Sequence, residues 1–175
     1  FHADAFHGPH AAGTVVEEHY SPDGTAEVAR GLAPRYPVRV EVRRGERGLA
    51  TAVMAGFAIA DGEVLAVIDA DGSHPVEALP ALAGPVLDGD ADLTVGARWI
   101  DGGAVEGWPL HRQLMSRAAG LLARPLAPVA DPTSGMMALR RGLIDGVDLH
   151  PVGFKIVLEV IVRARPARVV EIPIV

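Results

Sequence analysis

The sequence predicts a single α/β domain with a mostly parallel sheet. Three observations carry that reading. Strand-like and helix-like segments alternate along the chain at the spacing of strand–helix–strand units. The run Val64 to Ile68, "VLAVI", is continuously apolar, as a strand covered on both faces would be. Two aspartates, Asp69 and Asp71, follow that run at once, and open α/β sheets bind ligands outside the carboxyl ends of their strands.

Taken in order, Thr14 to Glu18 reads as a short strand. "SPDGT" at 21–25 is a turn, in which Asp23 or Thr25 can cap a helix running to about Ala33. Val38 to Val42, "VRVEV", alternates strictly and is a strand. Leu49 to Ala60 is a helix ended by Asp61 and Gly62. After the apolar strand and its aspartates, Pro75 stands near the start of a helix that reaches about Leu87. Leu93 to Val95 is a strand, and "DGGAVEGWP" at 101–109 a glycine-rich, mobile loop. Leu110 to Leu126 is a helix, "DPTSG" at 131–135 a turn, and Gly153 to Ala164 an apolar helical stretch. Val169 to Ile174 is a closing strand.

Composition narrows the function. With 175 residues the chain can bury a real core. Its net charge of −6 argues against a general nucleic-acid binder, which would carry a basic stripe. It has no cysteine, hence no disulfide framework and no thiolate chemistry. No run approaches the roughly 18 apolar residues of a membrane span. The first residues, "FHADAFHGPHAAGT", lack the basic and apolar regions of a signal peptide and an initiator Met, so a fragment or processed form is expected.

The residues that could carry chemistry lie mainly at strand ends. Residues two apart on a strand point to one side, so Asp69 and Asp71, flanking Ala70, can converge on one hard cation. Mg²⁺ takes such oxygen ligands and shares its shell with substrate phosphates. An isolated D-x-D also occurs in solvated loops; the strand before it and the helix after it favour a site. Arg98 follows a strand, and Arg112 and Ser116 share a helix face four residues apart. Guanidinium groups suit phosphate oxygens. Lys155 and Glu159 share a face if their segment is helical. Arg117, Arg124, Arg140 and Arg141 read as surface charge. His74 could contact substrate or cap its turn, and Trp108 could line a pocket or plug a loop. His2, His7 and His10 match no metal-ligand spacing.

These segments also occur in one familiar order: "GLATAVMAGFAIADGEVLAVIDADGSHPVEALPAL", "VGARW", "HRQLMSRAA", "DPTSG", "GFKIVLEV" and "VEIPI". Over residues 21–175 the chain resembles the inverting family 2 glycosyltransferases, and within them the dolichyl-phosphate mannosyltransferase group. The resemblance implies a GT-A fold, a Rossmann-like and mostly parallel sheet flanked by helices. It implies metal-assisted, inverting transfer of a sugar such as mannose from a nucleotide-diphosphate sugar (GDP-mannose) to a polyprenyl or dolichyl phosphate. Mg²⁺ or Mn²⁺ would be the cofactor, and the cytoplasmic membrane face the place of work.

By position, Asp69, Ala70 and Asp71 then match the nucleotide-sugar segment, and Asp69, Asp71 and Ser73 the metal ligands, with Ser73 where the family often has Gln. Arg44 and Gly48 lie in the "R-x-G-x-x-G-L" loop near the nucleotide. Asp71, Arg98, Arg112 and Ser116 match catalytic positions, the last three facing the acceptor phosphate or the donor diphosphate, and Lys155 is placed with them at the acceptor phosphate. The chain also departs from the family. It opens without the buried first strand and its P-x-Y-N-E-like turn, so an N-terminally incomplete domain, divergent over residues 1–20, is expected. Glu17, Glu18, His19 and Tyr20 replace a segment with paired aspartates, Met137 replaces a common arginine, and the chain stops just after "EIPIV". The residues that name the base are among those replaced. A UDP-sugar enzyme with another acceptor and a non-catalytic remnant therefore stay open. A sugar-nucleotide pyrophosphorylase would open with a glycine-rich basic loop, which is not found.

Overall fold

The computed structural model describes residues 13–18, 24–43, 48–150, 153 and 155–175, without the side chains of residues 17 and 18. The chain divides into two compact units, Phe1–Gly62 with Pro151–Phe154, and Glu63–His150 with Lys155–Val175.

In the first unit β1 (Thr14–Glu18) and β2 (Val38–Val42) pair in parallel, Thr14 opposite Val38 and Glu18 opposite Val42. Parallel neighbours need a crossover, and α1 (Thr25–Arg30) supplies it. Alternation in β2 turns Arg39 and Glu41 to solvent and Val38 inward. Arg39 pairs with Asp61 beyond α2 (Leu49–Ile59), whose Ala50, Val53 and Phe57 are buried. The α1 helix ends at Arg30, three residues before the predicted Ala33. Gly24 stands at its N-cap with a φ of 83°, and no side chain caps it.

The second unit holds a four-stranded sheet in the order β3-β5-β4-β6, made of β3 (Val64–Val67), β4 (Leu93–Ala97), β5 (Met137–Arg140) and β6 (Val169–Pro173). β5 runs antiparallel to both β3 and β4, and β6 runs parallel to β4. Three of the four strands therefore point the same way, with β5 reversed between two of them. β4 is buried along its whole length. The two-sided cover predicted for the "VLAVI" strand is not seen: Leu65 is buried but Ala66 is exposed. Among the described residues β3 is an edge strand whose one ladder partner is β5. Apolar sequence reflects how easily a strand is buried, and the position in the sheet decides how much of it is.

A 3₁₀ turn at Val76–Ala78 leads into α3 (Leu79–Leu87), whose Leu82 and Val86 pack with Met136, Ala138 and Ile174. The Thr94 hydroxyl, buried in the central strand, donates to the Leu82 carbonyl at 2.6 Å. Leu82 has no exposed surface. Leu82→Ala is expected to cost about 2–5 kcal/mol, the usual price of a core cavity, as a fall in the urea midpoint followed by circular dichroism. The long helix α4 (Leu110–Ala123) stops three residues before the predicted Leu126, and α5 (Ile156–Ala164) buries Ile156, Val157, Val160 and Ile161.

The register fixes where the site lies. Met137, the first residue of β5, stands opposite both Val67 near the end of β3 and Val95 in β4. The reversed β5 thus brings its leading turn, residues 131–135, to the same sheet edge as Asp69 and Arg98.

Candidate active site

At that edge Asp69 leaves β3 and its backbone N–H donates to His74 Nδ1 at 3.0 Å. Nδ1 is therefore the unprotonated nitrogen, and the neutral ring carries its proton on Nε2. Burial pushes His74 below the ordinary imidazole value, against the pull of the Asp69 carboxylate. Gly135 closes over the pair: a Cβ there would stand 3.0 Å from both Asp69 Oδ2 and His74 Cε1. Gly135→Ala is accordingly expected to displace the Asp69 carboxylate and, were Asp69 to hold a cation, to weaken binding of Mn²⁺ by roughly 10–100-fold, the range seen when a group supporting a metal ligand is disturbed. Calorimetric titration with MnCl₂ checks it.

Asp71 behaves differently. It is exposed, and its Oδ1 accepts the Ser73 N–H at 2.9 Å. The Ser73 hydroxyl and then its N–H hold the Asp71 carboxyl below the usual carboxylate value. Asp71 is thus an ionised oxygen donor open to solvent. Ser73, matched above to a third metal ligand, is engaged with Asp71. Among the described residues no cluster of three or more His, Cys, Asp or Glu is arranged for a metal. Two carboxylates, one of them exposed, suit a hard divalent cation that completes its shell with phosphate oxygens and water.

Arg98, at the end of β4, is held by Asp131. Its Nε donates to Oδ2 at 2.6 Å, one Nη to Oδ1 at 2.9 Å, and its backbone N–H to Oδ2 at 3.2 Å. The Asp131 side chain has no exposed surface. Thr133 adds a hydroxyl contact to Oδ1, and Glu171 from β6 accepts the N–H groups of Ala130 and Asp131. Beyond this knot two tryptophans gather the cations. Arg98 lies 4.9 Å and Arg112 3.8 Å from the ring centre of Trp108, and Arg117 lies 4.6 Å from that of Trp99. Ser116 accepts the Trp99 indole N–H at 3.3 Å. The loop 101–109, expected to be mobile, is tied down by Ala104 N–H to the Ile174 carbonyl. A Cβ at Gly103 would stand 2.6 Å from the Ala97 carbonyl oxygen, so the loop lies against the strand end only with glycine there.

The second unit thus brings together Asp69, His74 and Gly135 in one cluster. It joins Arg98 and Arg112 through Trp108, and Ser116 to Trp99. Arg44 lies outside the described residues. Gly48 belongs to the first unit, where its carbonyl accepts the Thr51 hydroxyl and Arg43 donates to both. Lys155 precedes α5, and its carbonyl accepts the Glu159 N–H. The Glu159 carboxylate pairs with Arg163 and accepts the His150 N–H. Asp131 and Glu171 are not singled out by the sequence. An Asp before Pro reads as a turn, and only the fold shows that its carboxylate is buried against an arginine.

Residues 15–147 match the family described as Glycosyl transferase family 2. The chain belongs to glycosyl transferase family 2. Dolichol-phosphate mannosyltransferase of Pyrococcus furiosus is 42% identical to this family 2 chain over 163 residues, 91% of this chain and 46% of that protein. Undecaprenyl-phosphate mannosyltransferase of Micrococcus luteus is 35% identical over 171 residues, 91% of this chain and 70% of that protein. The family 2 chain spans about half the length of several relatives it matches. Glucosyl-3-phosphoglycerate synthase of Mycobacterium tuberculosis, solved with phosphoglyceric acid, superposes with a TM-score of 0.66 at 20% identity, over 91% of this chain and 57% of that one. The fold is GT-A.

Proposed function

We propose that this family 2 domain serves the transfer of mannose from GDP-mannose to a polyprenyl or dolichyl phosphate, with inversion at the anomeric carbon. One observation carries the reading: two carboxylates of a cation-binding type and two guanidinium groups gathered on Trp108 stand at a single sheet edge. The names of the relatives favour mannose and a polyprenyl phosphate.

In this reading Asp69 and Asp71 hold Mg²⁺ or Mn²⁺, which when bound would neutralise charge on the departing diphosphate. Asp69 is oriented by His74 through its backbone, and Asp71 supplies an ionised oxygen from the solvent side. Arg98 and Arg112 hold the acceptor phosphate behind the anomeric carbon, Arg98 pinned by Asp131 and Arg112 by stacking. Their contribution is positioning. The acceptor is a phosphate monoester, anionic at neutral pH, so no side chain need remove a proton from it. The acceptor is a lipid, which places the work at a membrane surface. Among the described residues no helix is long and apolar enough to cross a membrane.

Calorimetric titration of the chain with GDP-mannose and with UDP-glucose, each with and without Mn²⁺, tests the reading. Binding of GDP-mannose that requires Mn²⁺ is the expected result. Metal-dependent binding of UDP-glucose alone would reassign the base. Binding of neither by a chain that melts cooperatively would favour a non-catalytic remnant.

A further inference from the structure

We propose that Glu171 of β6 is a positioning residue for the acceptor step: its side chain holds the turn that carries Asp131, and through Asp131 it sets where the Arg98 guanidinium stands. This rests on the reading above, in which Arg98 meets the acceptor phosphate, and adds the group that fixes Arg98 from the neighbouring strand.

Ala130 and Asp131 lie outside any strand, so no ladder supplies acceptors for their N–H groups. One oxygen of Glu171 serves both. Its Oε1 accepts the Ala130 N–H at 2.8 Å and the Asp131 N–H, more weakly, at 3.4 Å. Asp131 is buried, so water does not readily replace a lost acceptor there. From the other side α4 closes on the same peptide: a Cβ at Gly120 would stand 3.1 Å from the Ala130 carbonyl oxygen. Gly120 follows Ser116 by four residues and Arg112 by eight, so the helix face that meets Trp99 and Trp108 also meets this turn.

The end of β6 fastens the other segment around Arg98 as well. The Ile174 carbonyl accepts the Ala104 N–H from the loop that carries Trp108, and the Ile174 N–H donates to the Ala97 carbonyl at 3.1 Å, next to Arg98. Those bonds are made by backbone and survive most substitutions. The Glu171 side chain is the part of the anchor that a substitution removes. If the turn shifts, the Asp131 carboxyl moves with it, and the guanidinium bonded to both its oxygens follows. A misplacement of about 1 Å is enough to impair a positioned reaction. Position 171 must therefore offer an acceptor oxygen at this reach. Gln keeps the length and an oxygen, Asp keeps the carboxyl but is one methylene short, and Ala keeps neither.

The test compares Glu171→Ala, Glu171→Asp and Glu171→Gln with the wild type, by NMR-detected hydrogen exchange and by transfer from GDP-mannose to dolichyl phosphate. In the Ala and Asp variants the Ala130 N–H and the Arg98 Nε–H are expected to exchange about tenfold faster, the scale of one or two lost hydrogen bonds. The Ile174 N–H, on the same strand end, is expected to stay within about twofold of the wild type, because the opening is local. Glu171→Gln is expected to match the wild type at all three. In transfer, the Ala and Asp variants should raise the KM for dolichyl phosphate about tenfold with a smaller fall in kcat, and leave Mn²⁺-dependent GDP-mannose binding unchanged. Faster exchange at Ile174 as well would mean that Glu171 merely holds the strand together, and would overturn the proposal. So would rescue by Asp but not by Gln, unchanged exchange at Arg98 in the Ala variant, or an unchanged acceptor KM in an active Ala variant. Were Glu171→Ala not to fold, the contrast between Asp and Gln would decide alone. The exchange readout uses no substrate. A wild-type chain that transfers nothing would therefore sink the functional reading, while exchange still decides whether Glu171 places Arg98.

Discussion

Replacing Asp71 by alanine is expected to abolish metal-dependent donor binding and to lower transfer by about two to three orders of magnitude, the scale of losing one preorganised charge contact. Asp71 is exposed and its contacts are confined to its own turn, so removing it strips no core and leaves no buried partner. The melting midpoint should therefore stay at the wild-type value while binding is lost. Asp71→Asn keeps the shape and removes the charge, and is expected to behave like the alanine variant. The pH dependence has a definite sign. Ser73 holds the carboxyl below its ordinary value, so the carboxylate form persists on acidification past the point where a free aspartate would protonate. Metal affinity is lost only as the pH falls through that lowered value. Calorimetry with Mn²⁺ and donor at several pH values follows it. Donor binding by Asp71→Ala with wild-type metal dependence would remove Asp71 from the site.

Much of this architecture was legible because each segment's local pattern agrees with its place in the fold. "VRVEV" alternates, and β2 occupies Val38–Val42 as read. α2 ends one residue before the predicted Ala60. The place of Asp69 and Asp71 just beyond a strand was legible because the apolar run before them stops there. β5 was not read as a strand. "MALR" is made of good helix formers, and its extended state comes from pairing on both sides with β3 and β4, which no local pattern records. The same omission hid Asp131. A turn leading into an unrecognised, reversed strand gives no reason to expect its carboxylate at the end of β4.

Removing the Asp131 carboxylate is expected to lower stability by about 3–5 kcal/mol, the usual cost of breaking a buried ion pair from one side. The carboxylate has no exposed surface and accepts from the Arg98 guanidinium twice, from its backbone N–H once, and from Thr133. In Asp131→Ala the Arg98 guanidinium, 14% exposed, stays charged with its partner gone. Arg98→Ala leaves the opposite fault, a carboxyl group sealed from water without its guanidinium partner. Each single change thus leaves one buried polar partner unmatched, whereas the double change leaves neither. The double variant should be destabilised by clearly less than the sum of the two, and urea unfolding of the four proteins measures that coupling. Additive losses would mean that the two side chains do not act as a pair. The pair also matters to the site. Asp131 uses Nε and one Nη of Arg98, which fixes the guanidinium plane at the strand end and leaves the other Nη outside the pair. Asp131→Asn keeps the shape and one oxygen acceptor. It should therefore fold better than Asp131→Ala while holding Arg98 less firmly, so that acceptor KM rises more than kcat falls.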